Sequence, residues 1–216
     1  MDTLGAIVRF FQQGGAFMYP ILFVFAFGVA IAIERWMYLT MSGANNRALW
    51  TKIVPFLKAG NFQEAAQHTA KSKAAIASIL TYGLYRVKSA RRRDDIEKAM
   101  EESMMEVLPR LEKRTHYLAT LANIATLLGL LGTIIGLIRA FTAVSNANPA
   151  DKADLLSASI SVAMNTTAFG LMVAIPLLLT HAVLQTKTNQ LVDSLEMASV
   201  KFLNAVTERS LKTTGA

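Results

Sequence analysis

The chain has 216 residues, 53% of them hydrophobic and 17% charged, with a net charge of +7, a mean hydropathy of +0.36 and no cysteine. Disulfides and thiolate metal sites are thereby excluded, and three scattered histidines leave no nucleophile–base set or metal cluster, so neither an enzyme nor a resident cofactor is expected. Nucleic-acid binding is not expected either, because it calls for a basic stripe on a folded soluble face, whereas Arg91-Arg92-Arg93 is followed at once by Asp94-Asp95.

Residues 1–16 scatter Asp2 and Arg9 and show no small-residue cleavage site behind an apolar core, so they read as an N-terminal periplasmic or interfacial segment and not as a cleaved signal. Residues 17–33 carry no charge and are closed by Glu34-Arg35, with Trp36 and Tyr38 suited to an interface. A hydrocarbon core of roughly 30 Å takes about 20 helical residues to cross, which predicts a first transmembrane helix over 17–40. Residues 41–116 are predicted to be a helical cytoplasmic region. A helix over 45–59 ends at Gly60, suited to the left-handed position after a helix, and Asn61 with Glu64 three residues on resembles a capping box. Ile76, Leu80, Leu84 and Val87 repeat at helical spacing, as do Ile96, Met100, Met104, Val107 and Leu111 behind the capping pair Asp94-Asp95.

Residues 118–138 and 155–186 are charge-free runs of 21 and 32 residues, predicting a membrane hairpin: transmembrane helices over 117–144 and 155–185 joined by a loop at 145–154. Only Pro109 obliges any break between Asp95 and Ile138, so one long helix, bent at Pro109, is expected to rise into the membrane. The third helix mirrors it. Leu191, Leu195, Phe202 and Val206 carry an apolar stripe on to about residue 208, within a cytoplasmic C-terminal segment 186–216. Each long helix would measure on the order of 70 Å, and the need of their cytoplasmic halves for apolar partners points to an oligomer. Between 41 and 116 there are 14 Lys and Arg, and four more follow Leu184, against Arg9 in the N-terminal segment and Lys152 in the hairpin loop. The positive-inside tendency then places 41–116 and the C-terminus in the cytoplasm and the N-terminus and hairpin loop outside. The expected fold class is an all-α membrane protein with three transmembrane helices, the second and third extended far into the cytoplasm.

Polar residues inside the hairpin are the candidate site. Thr126 and Thr133, seven apart, share a helix face, with Asn123 close to the same stripe and Gly129, Gly132 and Gly136 among them. In the third span Ser159, Ala163, Thr166, Thr167, Gly170 and Ala174 form a comparable small, polar face. Packing accounts for any single threonine, since small residues line helix contacts in membranes and a threonine can bond back to its own helix. Hydroxyls on both helices near mid-membrane point further, to an ion path.

At this stage the residues carry a resemblance. Gly14-Gly15 with Met18-Tyr19-Pro20-Ile21-Leu22 and Ile33-Glu34-Arg35, then Leu127-Leu128-Gly129-Leu130-Leu131-Gly132-Thr133-Ile134-Ile135-Gly136, then Thr167-Ala168-Phe169-Gly170-Leu171 with Ala174-Ile175-Pro176, resemble three ordered motifs of the MotA/TolQ/ExbB family, its ExbB and TolQ branches above all. The resemblance implies an inner-membrane energy-converting complex: a homo-oligomeric ring, typically a pentamer, around two copies of a single-span partner of the ExbD, TolR or MotB type, coupling inward ion flow to mechanical work. It also implies that Thr133 and Thr167 line the ion path. A proton relay in hydrocarbon needs an ionisable carrier, and neither charge-free run holds one, which agrees with an intramembrane Asp supplied by that partner. Threonine hydroxyls can donate to such a carboxylate, hold water, or replace part of a cation's hydration shell.

Two positions depart from the family pattern: Val162 stands where relatives carry a glutamate five residues before the third-span threonine, and Thr126 stands where a proline is usual. The adjacent pair Thr166-Thr167 is similar to sodium-driven relatives, so Thr133, Thr166 and Thr167 are candidate sodium ligands, with H+ held ahead of Na+ as the transported ion. Arg139 is expected to snorkel to headgroups, His116 and His181 to bond at the interface, and the Arg91 to Arg93 cluster to be a solvated turn, with anionic lipid or a partner as the other readings. A non-conducting structural ring around the partner helix is the alternative function. Chain length favours an ExbB or TolQ type over a flagellar stator.

Overall fold

The computed structural model describes residues 10–11, 14–87, 89, 92–145 and 147–214, and among them there is no strand. Most of the expected N-terminal segment, Arg91 of the basic cluster and residue 146 of the hairpin loop lie outside the described residues. The helices are α1 (Met18–Ala59), α2 (Phe62–Ala70), α3 (Ala75–Val87), α4 (Arg93–Glu112), α5 (Thr115–Ser145) and α6 (Lys152–Thr214). Three stretches are long and apolar enough to cross a membrane, in Met18–Ala59, Arg93–Ser145 and Lys152–Arg209, with mean hydropathies of 1.7, 2.1 and 2.0 over their most apolar windows. Only 28%, 22% and 28% of those windows is buried within the chain, which leaves most of their surface to lipid or to other subunits.

Several local signals act as their chemistry requires. Gly60 stops α1 in the left-handed region at φ 72°, and Arg209 donates to the Ala59 carbonyl left open there. Asn61 caps α2 by accepting from the Glu64 N–H at 3.3 Å. At the head of α4 the Arg92 N–H donates to Asp95 Oδ2 at 3.3 Å.

Two expectations about helix extent are corrected. The first long helix does not end near residue 40: α1 runs without interruption through 41–44 to Ala59, because residues 39–49 keep burying one side, with Leu39, Asn46 and Leu49 all inside. The expected continuous helix over 95–138 is instead two helices, parted at Lys113 and Arg114. Pro109 has no N–H to bond back into the preceding turn and crowds it, yet the helix survives it by one turn, Lys113 N–H still reaching the Pro109 carbonyl at 3.0 Å. The break falls at Arg114, whose φ of 66° is left-handed for a residue that is not glycine.

The chain divides into two compact units, Met1–Glu34 with Arg114–Val183, and Arg35–Lys113 with Leu184–Ala216. In the second unit Leu195 and Phe202 of the α6 stripe and the repeats Ile76, Leu80, Leu84 and Ile96, Met100, Val107, Leu111 close into one core with Ile53 and Leu57, and Val206 packs against it. Asn46 of α1 reaches into it and accepts the Ile76 N–H at 3.1 Å, capping α3 from another helix. The apolar stripe of α6 therefore finds its partners within its own chain, and the case for an oligomer moves from this region to the exposed apolar windows. The first unit is built differently, on small residues. Gly28 of α1 lies against Leu177 of α6, and Gly129, Gly132 and Gly136 of α5 face Ala163, Thr166, Thr167 and Gly170 of α6.

Candidate functional site

Glycines at 129, 132 and 136 recur one helical turn apart, so they lie on a single face of α5, and that face is the contact with α6. A Cβ added at Gly170 would sit 2.7 Å from the Ala125 carbonyl oxygen and 3.1 Å from Gly129 Cα, and one added at Gly129 would sit 3.2 Å from Thr167 Cα. Backbones approach this closely only because neither partner has a side chain there. The short separation is what lets two threonine hydroxyls, each on a short stem, meet between the helices.

Thr133 and Thr167 do meet. Their hydroxyls are hydrogen-bonded to each other, and both reach the Gly129 carbonyl, Thr133 Oγ1 at 3.2 Å and Thr167 Oγ1 at 2.9 Å. The three oxygens form a triangle with two hydroxyl hydrogens between them. While both hydroxyls keep these bonds, both hydrogens are spent inside the triangle, and the half-buried oxygens offer lone pairs to whatever approaches. Such a face suits a group that brings its own proton or positive charge: water, a protonated carboxyl, a cation. A carboxylate would need one hydroxyl to release Gly129 and turn outward.

The other candidates are placed elsewhere. Thr166, 2% exposed, turns its hydroxyl away from the pair, donating to the Gly14 carbonyl at 2.6 Å with the Val162 carbonyl also within 3.0 Å. Its methyl group fills the space over Gly132. Thr126 bonds back to the Ala122 carbonyl at 3.1 Å, as a packing threonine does. Asn123 is exposed. Of five candidate residues, then, the structure brings two together, Thr133 and Thr167. His116 and Arg139 are exposed and His181 is half-buried.

Two contributors were not singled out as site residues from the sequence. One is the Gly129 carbonyl, the common acceptor; backbone oxygens leave no mark in a residue pattern, although the glycine spacing on α5 signalled the close contact that exposes it. The other is the Gly14-Gly15 segment. Gly15 holds a φ of 75° and lies against Val162, a Cβ there falling 3.3 Å from Val162 Cγ1, so this turn seats itself on α6 beside Thr166. Val162 is thus a packing residue in this chain.

Comparison with known proteins bears on what this site belongs to. Residues 71–197 match the model of the MotA/TolQ/ExbB proton channel family. A protein of Methanothermobacter thermautotrophicus with the description "Putative biopolymer transport protein ExbB homolog" is 27% identical over 199 residues, covering 91% of this chain and 69% of that protein.

Proposed function

This chain belongs to the MotA/TolQ/ExbB proton channel family and is a multi-pass membrane protein, and from that premise we propose that it is the ion-conducting subunit of an inner-membrane motor. In this reading it couples ion flow to mechanical work through a single-span ExbD/TolR/MotB-like partner, two copies of which stand within a ring, typically a pentamer, of this chain. The N-terminus is periplasmic and the C-terminus cytoplasmic, as the distribution of Lys and Arg favours.

One observation carries the proposal: two hydroxyls and a carbonyl converge in a charge-free helix pair, with Thr133 and Thr167 at the point of contact. Residues 118–138 and 155–186 hold no Asp, Glu, Lys or Arg. The ionisable carrier therefore belongs to the partner, as an intramembrane Asp. Its protonated form can donate into the lone pairs of the triangle, and its ionised form is accommodated when a hydroxyl swings free, so a rotation of hydroxyls of a few ångströms' reach accompanies proton gain and loss.

The placement of Thr166 supports the proton over sodium. A hard cation takes about six oxygens, and with Thr166 committed to Gly14 this chain offers three at the contact. The scaffold reading draws on Thr126 and Thr166, which use their hydroxyls for packing. Both alternatives are tested together by co-reconstituting the chain with a single-span partner bearing an intramembrane Asp and following ion uptake into vesicles. Proton uptake in sodium-free buffer, lost in Thr167→Val while the complex still assembles, is the expected result. A requirement for sodium would overturn proton coupling, undiminished uptake in both Thr133→Val and Thr167→Val would take the two hydroxyls out of the ion path, and no uptake by the assembled wild-type complex would leave only the scaffold.

A further inference from the structure

We propose that the cleft between α1 and α5 is a binding site for one membrane phospholipid whose headgroup carries an ammonium beside its phosphate. This inference needs only that the chain spans a membrane. The cleft measures about 660 Å³, within the range of small-molecule sites. Its walls are apolar, with Phe27 and Ile31 from α1 and Leu121 and Ile124 from α5, and its mouth holds Glu34 and Arg114. Those two residues lie at the ends of the charge-free runs, where hydrocarbon gives way to headgroups. From Arg114 to Ile124 is ten residues, roughly 15 Å of helix, or about half of a hydrocarbon core of roughly 30 Å. The cleft is one leaflet deep. It therefore has the depth of an acyl chain with its charges at the right end.

The mouth selects the headgroup. Arg114 Nη1 alone donates to both Glu34 oxygens, at 3.0 and 2.9 Å, so Nη2 and Nε, with three N–H groups, have no partner among the described residues and suit a phosphate. Each Glu34 oxygen keeps a second lone pair for an ammonium. A purely anionic headgroup would meet the Glu34 charge; a zwitterion satisfies both ends. The two side chains are 46% and 47% exposed, and Tyr117, half exposed beside them, has the amphipathic ring of an interfacial residue. A protein helix laid in this cleft would strip water from the ion pair at a desolvation cost, whereas a headgroup leaves the pair at the interface.

The test is native mass spectrometry of the full chain purified in mild detergent, then add-back of phosphatidylethanolamine or phosphatidylglycerol after delipidation. The wild type should retain one phospholipid per chain and prefer phosphatidylethanolamine by roughly tenfold in apparent affinity. Ala30→Trp, which fills the cleft from an exposed wall position, should abolish retention, and Glu34→Gln should erase the headgroup preference. Equal retention of the two lipids by the wild type would overturn the proposal without recourse to any variant. So would full retention by a folded Ala30→Trp, or a preference unchanged in Glu34→Gln.

Discussion

The hydroxyls of Thr133 and Thr167, 34 residues apart in sequence, share the Gly129 carbonyl as a common acceptor across the α5–α6 contact. Because the same carbonyl serves both, removing either hydroxyl leaves the other with its bond to Gly129. Thr133→Val and Thr167→Val should therefore fold and assemble, with a stability change within about 1 kcal/mol. Ion-driven uptake should fall by about tenfold to a hundredfold, the equivalent of one lost hydrogen bond of about 1–3 kcal/mol at the barrier. Thr→Ser at either position, which keeps the hydroxyl, should restore most of the rate. Uptake assays on the four variants beside thermal melts check both halves of this prediction.

Thr166 should behave in the opposite way. Its buried hydroxyl satisfies the Gly14 carbonyl, so Thr166→Val strands that acceptor and should cost about 1–3 kcal/mol. Uptake per assembled complex should stay within about twofold of wild type, since the conducting pair is untouched. A melting curve shifted downward with normal uptake is the expected combination, and a change in ion preference would place Thr166 back in the path.

What could be read from the residues was whatever depends on a few neighbours along the chain. Gly60, the Asn61 cap and the apolar repeats of α3 and α4 are local, and each does what its chemistry predicts. That Thr133 shares a face with Thr126, among glycines, followed from helical periodicity; that Thr133 meets the third helix is seen only in the contact with Thr167. The failures have a common cause in distant contacts. Thr166 and Thr167 are adjacent, and which of them turns to α5 depends on a turn at Gly14 seated 152 residues away in sequence. The break falls at Arg114 and not at Pro109, five residues earlier, and the residue bonded to Arg114, Glu34, lies 80 residues away. The partners of the α6 stripe lie in its own chain, and nothing local to that stripe reveals that α3 and α4 fold back over it.

The glycines divide into two kinds by what surrounds them. At Gly170 a methyl group meets backbone, the Ala125 carbonyl at 2.7 Å, which can give only if a helix moves. Gly170→Ala should destabilise by about 1–3 kcal/mol and loosen the Thr133–Thr167 pair with it. At Gly43 the nearest atom is Leu191 Cδ2 at 3.2 Å, the tip of a flexible side chain, so Gly43→Ala should gain up to about 1 kcal/mol from helix propensity. Thermal unfolding in one detergent, with the two variants side by side, should move the midpoint in opposite directions.

Arg114 offers the last prediction, because two opposing effects meet in one residue. Its left-handed backbone, φ 66°, costs a residue with a Cβ about 1–2 kcal/mol, while its half-exposed ion pair with Glu34 returns at most about 1 kcal/mol. Arg114→Gly removes both and should leave stability within about 1 kcal/mol of wild type. Glu34→Gln removes the pair alone and should cost less than about 1 kcal/mol. Arg114→Val loses the pair and places a β-branched side chain at positive φ, and should be the least stable of the three by about 1–2 kcal/mol. If the valine variant melted with the glycine variant, the left-handed conformation at 114 would be a property of neither the backbone nor the break between α4 and α5, and the helix would have to run straight through it.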